Sequence, residues 1–257
     1  MGQEKRRGGI KAPRLPKVLR LAELPQDLPT DGESYSGLEY QQLDVAESTI
    51  SRLHFEGVVF THLIATGMQC DYLRVEDVRF AGCNLANAVW PNLSGVRTEF
   101  IGCRMTGFAT LEATLLDTMF KECKVDFAQF YKGKMRGVRF EDCALMGADF
   151  RAADLTEAVF VRCDLSQADF TGARLVGADL RGCQIDGMRA GSNELRGAIV
   201  DEVQALALVR AMGITISCEG STYLAVHRGG WHGGRKRVEQ TASRCGSAAQ
   251  KEDYHGD

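Results

Sequence analysis

An all-β solenoid built from square coils is the fold class this sequence predicts, and three series of residues predict it. Cysteines stand at Cys83, Cys103, Cys123, Cys143, Cys163 and Cys183. Phenylalanines stand at Phe60, Phe80, Phe100, Phe120, Phe140 and Phe160, and again at Phe130, Phe150 and Phe170. Every step is twenty residues, and a fixed period of that length marks a repeat architecture.

The period of twenty divides into four units of five. The clearest run goes from Ala148-Asp149-Phe150-Arg151-Ala152 through Ala168-Asp169-Phe170-Thr171-Gly172 to Cys183-Gln184-Ile185-Asp186-Gly187. The bulky residue falls on each multiple of five, a small residue sits two places before it, and the other places are mostly polar. A helix repeats every 3.6 residues and a half-buried strand every two, so neither explains this pattern. A step of five with two inward residues suits a chain that turns a corner once per unit. Four corners close one coil, and equivalent residues then stack at about 4.8 Å. The frame runs from about Tyr40 to Val200 without insertion. That length gives about eight coils and a rod about 38 Å long.

Some units exchange the sizes of their two inward residues. Leu63 goes with Ala65, Met68 with Cys70, Leu93 with Gly95, Phe108 with Thr110, and Met188 with Ala190. A packed interior accepts swaps that conserve volume better than net gain or loss. These units are therefore repeats, not breaks. The six cysteines occupy the small inward place. Stacked side chains point the same way at the coil spacing, wider than the roughly 3.8 Å between Cβ atoms that a disulfide prefers. They read as a ladder of reduced filler thiols, with no metal site among them.

The chain has 257 residues, 25% of them charged, with a net charge of −3. Such a balance argues against a general affinity for nucleic acid. No apolar run of eighteen predicts a membrane span. The basic start lacks the apolar core of a secretory signal, so a cytoplasmic location is expected. Residues 1–36 lack the repeat and read as a basic, Pro-containing arm, largely solvated, with a short ordered stretch at Val18–Leu24. Residues 37–200 form the β-helix. Residues 201–216 read as a C-terminal helix and short strand that cap the last coil or join two copies, with Val203, Leu206, Ala207 and Arg210 on one side. Residues 217–257, rich in Gly, Ser and basic residues, read as a disordered tail. Cys218, His227, His232 and Cys245 in that tail match no compact metal-finger spacing.

The units Ala-Asp-Phe/Leu-x-x and Cys-Asp/Gln-Leu/Ile-x-x resemble those of the pentapeptide-repeat family, over about 160 residues. The resemblance implies a right-handed, four-sided β-helix. The segment Ile199 to Leu208, with Met212-Gly213-Ile214 after it, resembles the C-terminal helix of the family's fluoroquinolone-resistance members. In those proteins the helix joins two rods end to end, and the paired rod imitates B-form DNA on gyrase. The unbroken frame is of the loop-free type. A DNA mimic needs carboxylates in place of phosphates, and Asp149, Asp154, Asp164, Asp169 and Asp179 lie in an acidic half beside the proposed dimer end. Against this, Lys121, Lys124, Lys132, Lys134, Arg136 and Arg139 form a basic belt around the middle of the rod.

No nucleophile elbow, Walker loop or HExxH motif is present, and no cofactor is expected. His54 and His62 fall at outward places of the first coils. The expectation is a non-enzymatic, protein-binding scaffold with an unknown partner. The alternative is a DNA-mimicking, gyrase-binding protein linked to fluoroquinolone tolerance. A homodimer through the C-terminal helix is compatible with either.

Overall fold

The computed structural model describes residues 9–216, which wind into a parallel β-solenoid followed by one helix, α1 (Glu202–Ala211). The corners come from a single backbone device. Every position ending in 2 or 7, from Gly32 to Gly187, has a left-handed φ between 50° and 81°. At each corner the chain folds back and the next short stretch becomes extended.

One side of the coil is an eight-stranded parallel sheet: Arg20–Leu21, Leu38–Gln41, Val59–Thr61, Arg79–Ala81, Glu99–Ile101, Met119–Lys121, Arg139–Glu141 and Val159–Val161. A neighbouring side carries five strands, from Ser34–Ser36 to Thr114–Leu116. A third pairs Thr49–Ser51 with Gln69–Asp71 and continues as single bridges. The fourth is bridges alone, from Asp44↔Ile64 to Asp164↔Gln184. Phe60 pairs with Phe80, Phe80 with Phe100, Phe100 with Phe120, and so on, always twenty residues apart.

Regular strands extend over about seven turns, where the frame implied about eight. The difference arises in the last coil. Ser192 is not among the left-handed residues, although its place is a corner. Gly177 N–H donates to the carbonyl of Gly197, twenty residues on, whereas Gln167 N–H reaches Asp186, nineteen on. Gly172 N–H turns instead to the Glu194 carboxylate, at 3.0 Å. The chain regains the ladder at the bridge Asp179↔Ile199.

The first coil also begins earlier than the boundary drawn at residue 36. Arg20–Leu21 pairs with Leu38 and Glu39, and Ser34–Ser36 pairs with His54–Glu56. Tyr35 stacks on Phe55, and the Tyr40 hydroxyl donates to the Asp27 carbonyl at 2.8 Å. Residues 20–36 are therefore part of the solenoid and not a solvated arm. Periodicity could not reveal this, because the segment pairs through its backbone without the five-residue signature.

Inside, two aromatic columns run along the rod. Rings of the longer column, Tyr40 to Phe160, lie 4.7–5.0 Å apart and nearly parallel. Phe130, Phe150 and Phe170 form the shorter one, which meets the first edge-on. Offset stacking and edge contacts are the arrangements aromatic rings prefer. The cysteines of the ladder are all buried and free. Their thiols also donate to carbonyls of the coil before, as Cys123 does to Phe100 at 3.3 Å and Cys143 to Phe120 at 3.4 Å. At Cys123, Cys143 and Cys163 the bond to the preceding thiol, and then burial, push the pKa up to about 12. These thiols stay protonated and inert.

The exchanged units pack as volume conservation requires. Leu93 is buried opposite Gly95, where an added Cβ would lie 2.8 Å from Leu115 Cδ2. Phe108 and Thr110 are both buried, and the Thr110 hydroxyl donates to the Trp90 carbonyl at 3.0 Å. Where Leu63 and Met68 replace smaller residues, a cavity of about 20 Å³ remains beside Phe60, Phe80 and Trp90.

The aromatic columns carry stability and the thiols fill space. Phe140→Ala should lower the unfolding free energy by about 3–5 kcal/mol, the usual cost of deleting a buried Phe. Cys143→Ala should cost far less. Chemical denaturation of the two variants checks this, and equal losses would refute it.

Candidate protein-binding surface

Each five-residue unit shows solvent the same places, so outward residues form straight rows along the rod. The five aspartates singled out in the sequence occupy one such kind of place, before the bulky residue. The structure distributes them over all four sides. Asp149 and Asp169 are ladder neighbours on one side, while Asp154, Asp164 and Asp179 belong to three other ladders. They do not form a single acidic stripe.

All five are only half-exposed, and each carboxylate accepts the amide two residues on. The donors are Arg151, Thr156, Ser166, Thr171 and Arg181. Four also meet a guanidinium: Asp149 with Arg151 and Asp179 with Arg181, both at 2.7 Å, Asp154 with Arg136 at 2.6 Å, and Asp169 with Arg189 at 3.3 Å. Burial pushes Asp154 up, but the Thr156 hydroxyl and Arg136 outweigh it and hold the carboxyl below the usual range. These aspartates first serve the corners of the coil. Their charge toward a partner is partly neutralised.

The basic belt is likewise absorbed by its neighbours. Lys121 faces Glu141 at 4.0 Å and Lys132 faces Glu112 at 3.6 Å, each pair twenty residues apart. Arg139 meets Glu141 and Arg136 meets Asp154. The same twenty-residue spacing joins Arg79 to Glu99, Arg97 to Asp77 and Arg162 to Asp142. Lys124 and Lys134 have no ion pair among the described residues, and they belong to different ladders.

At the C-terminal end, α1 begins with a capping box. The Asp201 carboxylate accepts from Gln204 N–H at 2.9 Å, and the Gln204 side chain accepts from Asp201 N–H at 3.0 Å. Asp201 also takes the Gly182 amide of the last coil, at 3.0 Å. Gln204 is buried, and its Nε2 donates to the carbonyls of Leu180 and Cys183 at 2.7 and 2.8 Å. Leu208 packs beside it against the core. The contact with the rod therefore uses Gln204 and Leu208. Val203, Leu206, Ala207 and Arg210, grouped by sequence as the cap or dimer side, are exposed, Val203 at 77%. With Met212, Ile214 and Ile216 they leave apolar groups facing solvent at this end. The signal that sequence reading passed over was Asp-x-x-Gln, the spacing of a capping box.

The N-terminal arm lies against the rod. Arg14 N–H donates to Asp77 at 2.8 Å, and Lys11 N–H donates to Asp117 at 3.2 Å. Pro16 sits over Gly57. Ile10, Pro13 and Leu15 are half-buried, Arg14 and Lys17 are exposed, and the Lys11 ammonium lies 4.0 Å from the Asp117 carboxylate. Asp77 is buried, and Arg97 holds its carboxyl low, with the Arg14 amide contributing.

Among the described residues no three His, Cys, Asp or Glu side chains are placed to hold a metal, and no helix is long and apolar enough to cross a membrane. The tail residues Cys218, His227, His232 and Cys245 lie outside the described residues.

Comparison with known proteins adds the following. Residues 73–143 match the model of a pentapeptide repeat region, and residues 148–184 that of pentapeptide repeats in eight copies. A stretch of 96 residues, 35% of this chain, is 31% identical to the quinolone resistance pentapeptide repeat protein QnrB96 of Scandinavium goeteborgense. The chain spans 42% of that relative's length. Among solved structures, a trypsin-treated variant of QnrB1, a plasmid-mediated fluoroquinolone resistance protein, aligns with 12% identity and a TM-score of 0.36, covering 72% of this chain and 98% of that one. HetL, a pentapeptide repeat protein involved in heterocyst differentiation regulation in a Nostoc cyanobacterium, aligns with 17% identity and a TM-score of 0.29, covering 67% and 91%.

Gln204 is the polar anchor of the C-terminal end. Gln204→Leu should leave the carbonyls of Leu180 and Cys183 unpaired and cost about 1–3 kcal/mol. A lowered thermal midpoint with an unchanged rod spectrum by circular dichroism checks it.

Proposed function

Because this chain belongs to the pentapeptide-repeat family, we propose that it is a non-enzymatic rod that binds a protein partner along its sides. One observation supports this above others: the outward residues form long straight ladders at coil spacing, such as Asp44, Ile64, Asn84, Arg104, Lys124, Ala144, Asp164 and Gln184. A rigid ladder of this kind offers a partner many fixed contacts in a row. It offers a small substrate little enclosure.

A second reading is that the partner is DNA gyrase, bound as a DNA mimic and linked to fluoroquinolone tolerance. What favours it is the 31% identity to a quinolone resistance protein over 96 residues. The ion-paired state of Asp149, Asp154, Asp169 and Asp179 weighs against a mimic that relies on those carboxylates. A supercoiling assay with purified gyrase separates the two. The first reading expects supercoiling to proceed unchanged in micromolar rod. The second expects inhibition that weakens steeply with salt, as phosphate contacts do, and that is lost when Asp149, Asp154, Asp164, Asp169 and Asp179 are all changed to Asn.

The apolar end around α1 fits a second copy of the chain. Leu206→Glu, on the exposed side of the helix, should leave the rod folded and halve the mass seen by light scattering. A wild type that is already monomeric would end the idea.

A further inference from the structure

Carboxylates recur on one corner of the rod at Asp77, Asp117 and Glu157, forty residues apart each time, or two coils. Two coils correspond to about 9.6 Å. Three residues of extended chain span about 10 Å. The arm uses this match. Arg14 and Lys11 are three residues apart, and their amides meet Asp77 and Asp117 in turn. The arm therefore climbs the corner with one amide for every second coil. Beside Gly9 the described residues continue the track as a groove lined by Leu116, Arg136, Gly137, Glu157, Val159 and Val176. Glu157 is exposed; its backbone N–H donates to the Val176 carbonyl, while its carboxylate has no hydrogen-bond or ion-pair partner among the described residues.

We propose that this corner is a docking track for an extended segment of a partner protein, and that the chain's own arm is its resident occupant. The proposal rests on the protein-binding reading above and names the partner's chemistry. The partner segment is unpaired in its own fold. It presents amides at three-residue steps to Glu157, Asp117 and Asp77, and small apolar side chains to Leu116, Val159 and Val176. Glu157 is the free station where it first holds. The arm then yields, because its seat is slight: two amide bonds, the Lys11–Asp117 pair at 4.0 Å, the Pro16 contact with Gly57 and three half-buried side chains hold residues 9–17 before pairing begins at Arg20. Charge follows the exchange. The arm covers Asp77, pairs Lys11 with Asp117 and exposes Arg14 and Lys17, so its departure changes this edge from basic to acidic.

The test uses the full chain and, as probe, a fluorescent synthetic peptide with the sequence of residues 7–17, in which Gly8 lies one three-residue step before Lys11 and so supplies an amide for Glu157. The double variant Lys11→Pro/Arg14→Pro lacks both amide donors and leaves the track intact. Trypsin should cut it faster after Lys17, which reports release of the arm. Fluorescence anisotropy should show the probe binding this variant about 100-fold more tightly than wild type, since a tethered occupant competes at high effective concentration. Adding Glu157→Ala to the double variant should weaken binding about tenfold, the loss of one charge-assisted hydrogen bond. Three results would overturn the proposal. One is no binding to the released variant while its circular dichroism is native. Another is equal affinity with and without Glu157. The third is binding only after residues 1–8 are removed, which would make the chain's own first residues the occupant of the groove.

Discussion

The left-handed corner at every fifth residue is the constraint on which the rest of this structure depends. An L-residue in that conformation is disfavoured by roughly 1–2 kcal/mol. Nineteen residues other than glycine nevertheless adopt it, among them Phe127, Tyr72 and Arg162. Local preference cannot be what forms these corners. Stacking imposes them, because the corner amide then reaches a carbonyl one coil on, as Arg52 does with Asp71, and the two inward residues meet their equivalents above and below. The same constraint sets the surface. A side chain at one corner lies over the corner of the next coil, as the Phe127 ring does over Gly147, where an added Cβ would come within 2.8 Å of the ring. Glycine at 147 is therefore favoured by its φ and required by the ring above it.

Much of this was legible in the sequence, and the unread parts have physical reasons. The inward columns were legible because burial selects residue size at fixed places, and the exchanged pairs at Leu63/Ala65 and Phe108/Thr110 obey the same rule. The corners were also written there. Most glycines of the rod fall on positions ending in 2 or 7, but attention to bulky residues passed over them. The arm was illegible, because Pro13, Pro16 and the basic residues carry the composition of a tail, while its seat is made by backbone amides that composition does not display. The role of Gln204 was masked by the apolar residues around it. Hydrophobic patterning finds the side of a helix that could be buried. Here a polar side chain took that place, since the end of the coil offers carbonyls needing donors.

Charge in this rod works chiefly along its axis. Pairs such as Arg97–Asp77, Arg162–Asp142 and Arg79–Glu99 join equivalent places in adjacent coils. Individually such exposed pairs contribute little. Their arrangement still discriminates. A coil displaced by one unit of five would keep its inward pattern of small and bulky residues, yet it would lose these partners. The interior thus specifies the shape of the coil, and the charges help specify which unit stacks on which. The acidic half and the basic belt, conspicuous as regional excesses in the linear sequence, are mostly ion-paired locally, with Glu141 and Asp154 joining one to the other.

The fault in the last coil bears on how such a rod stays finite. Each regular coil is a template for the next, and a flush terminal coil would invite another molecule to continue the stack. Exposed strand edges of that kind lead to association and fibres. By leaving the corner conformation at Ser192, giving the Gly172 amide to Glu194 and shifting the Gly177 bond by one residue, the final turn departs from the regular template, and α1 is seated on it. It acts as a chain terminator for a one-dimensional crystal. The irregularity interrupts a pattern capable of indefinite growth, so a second copy would meet this end through α1 and not as one more coil.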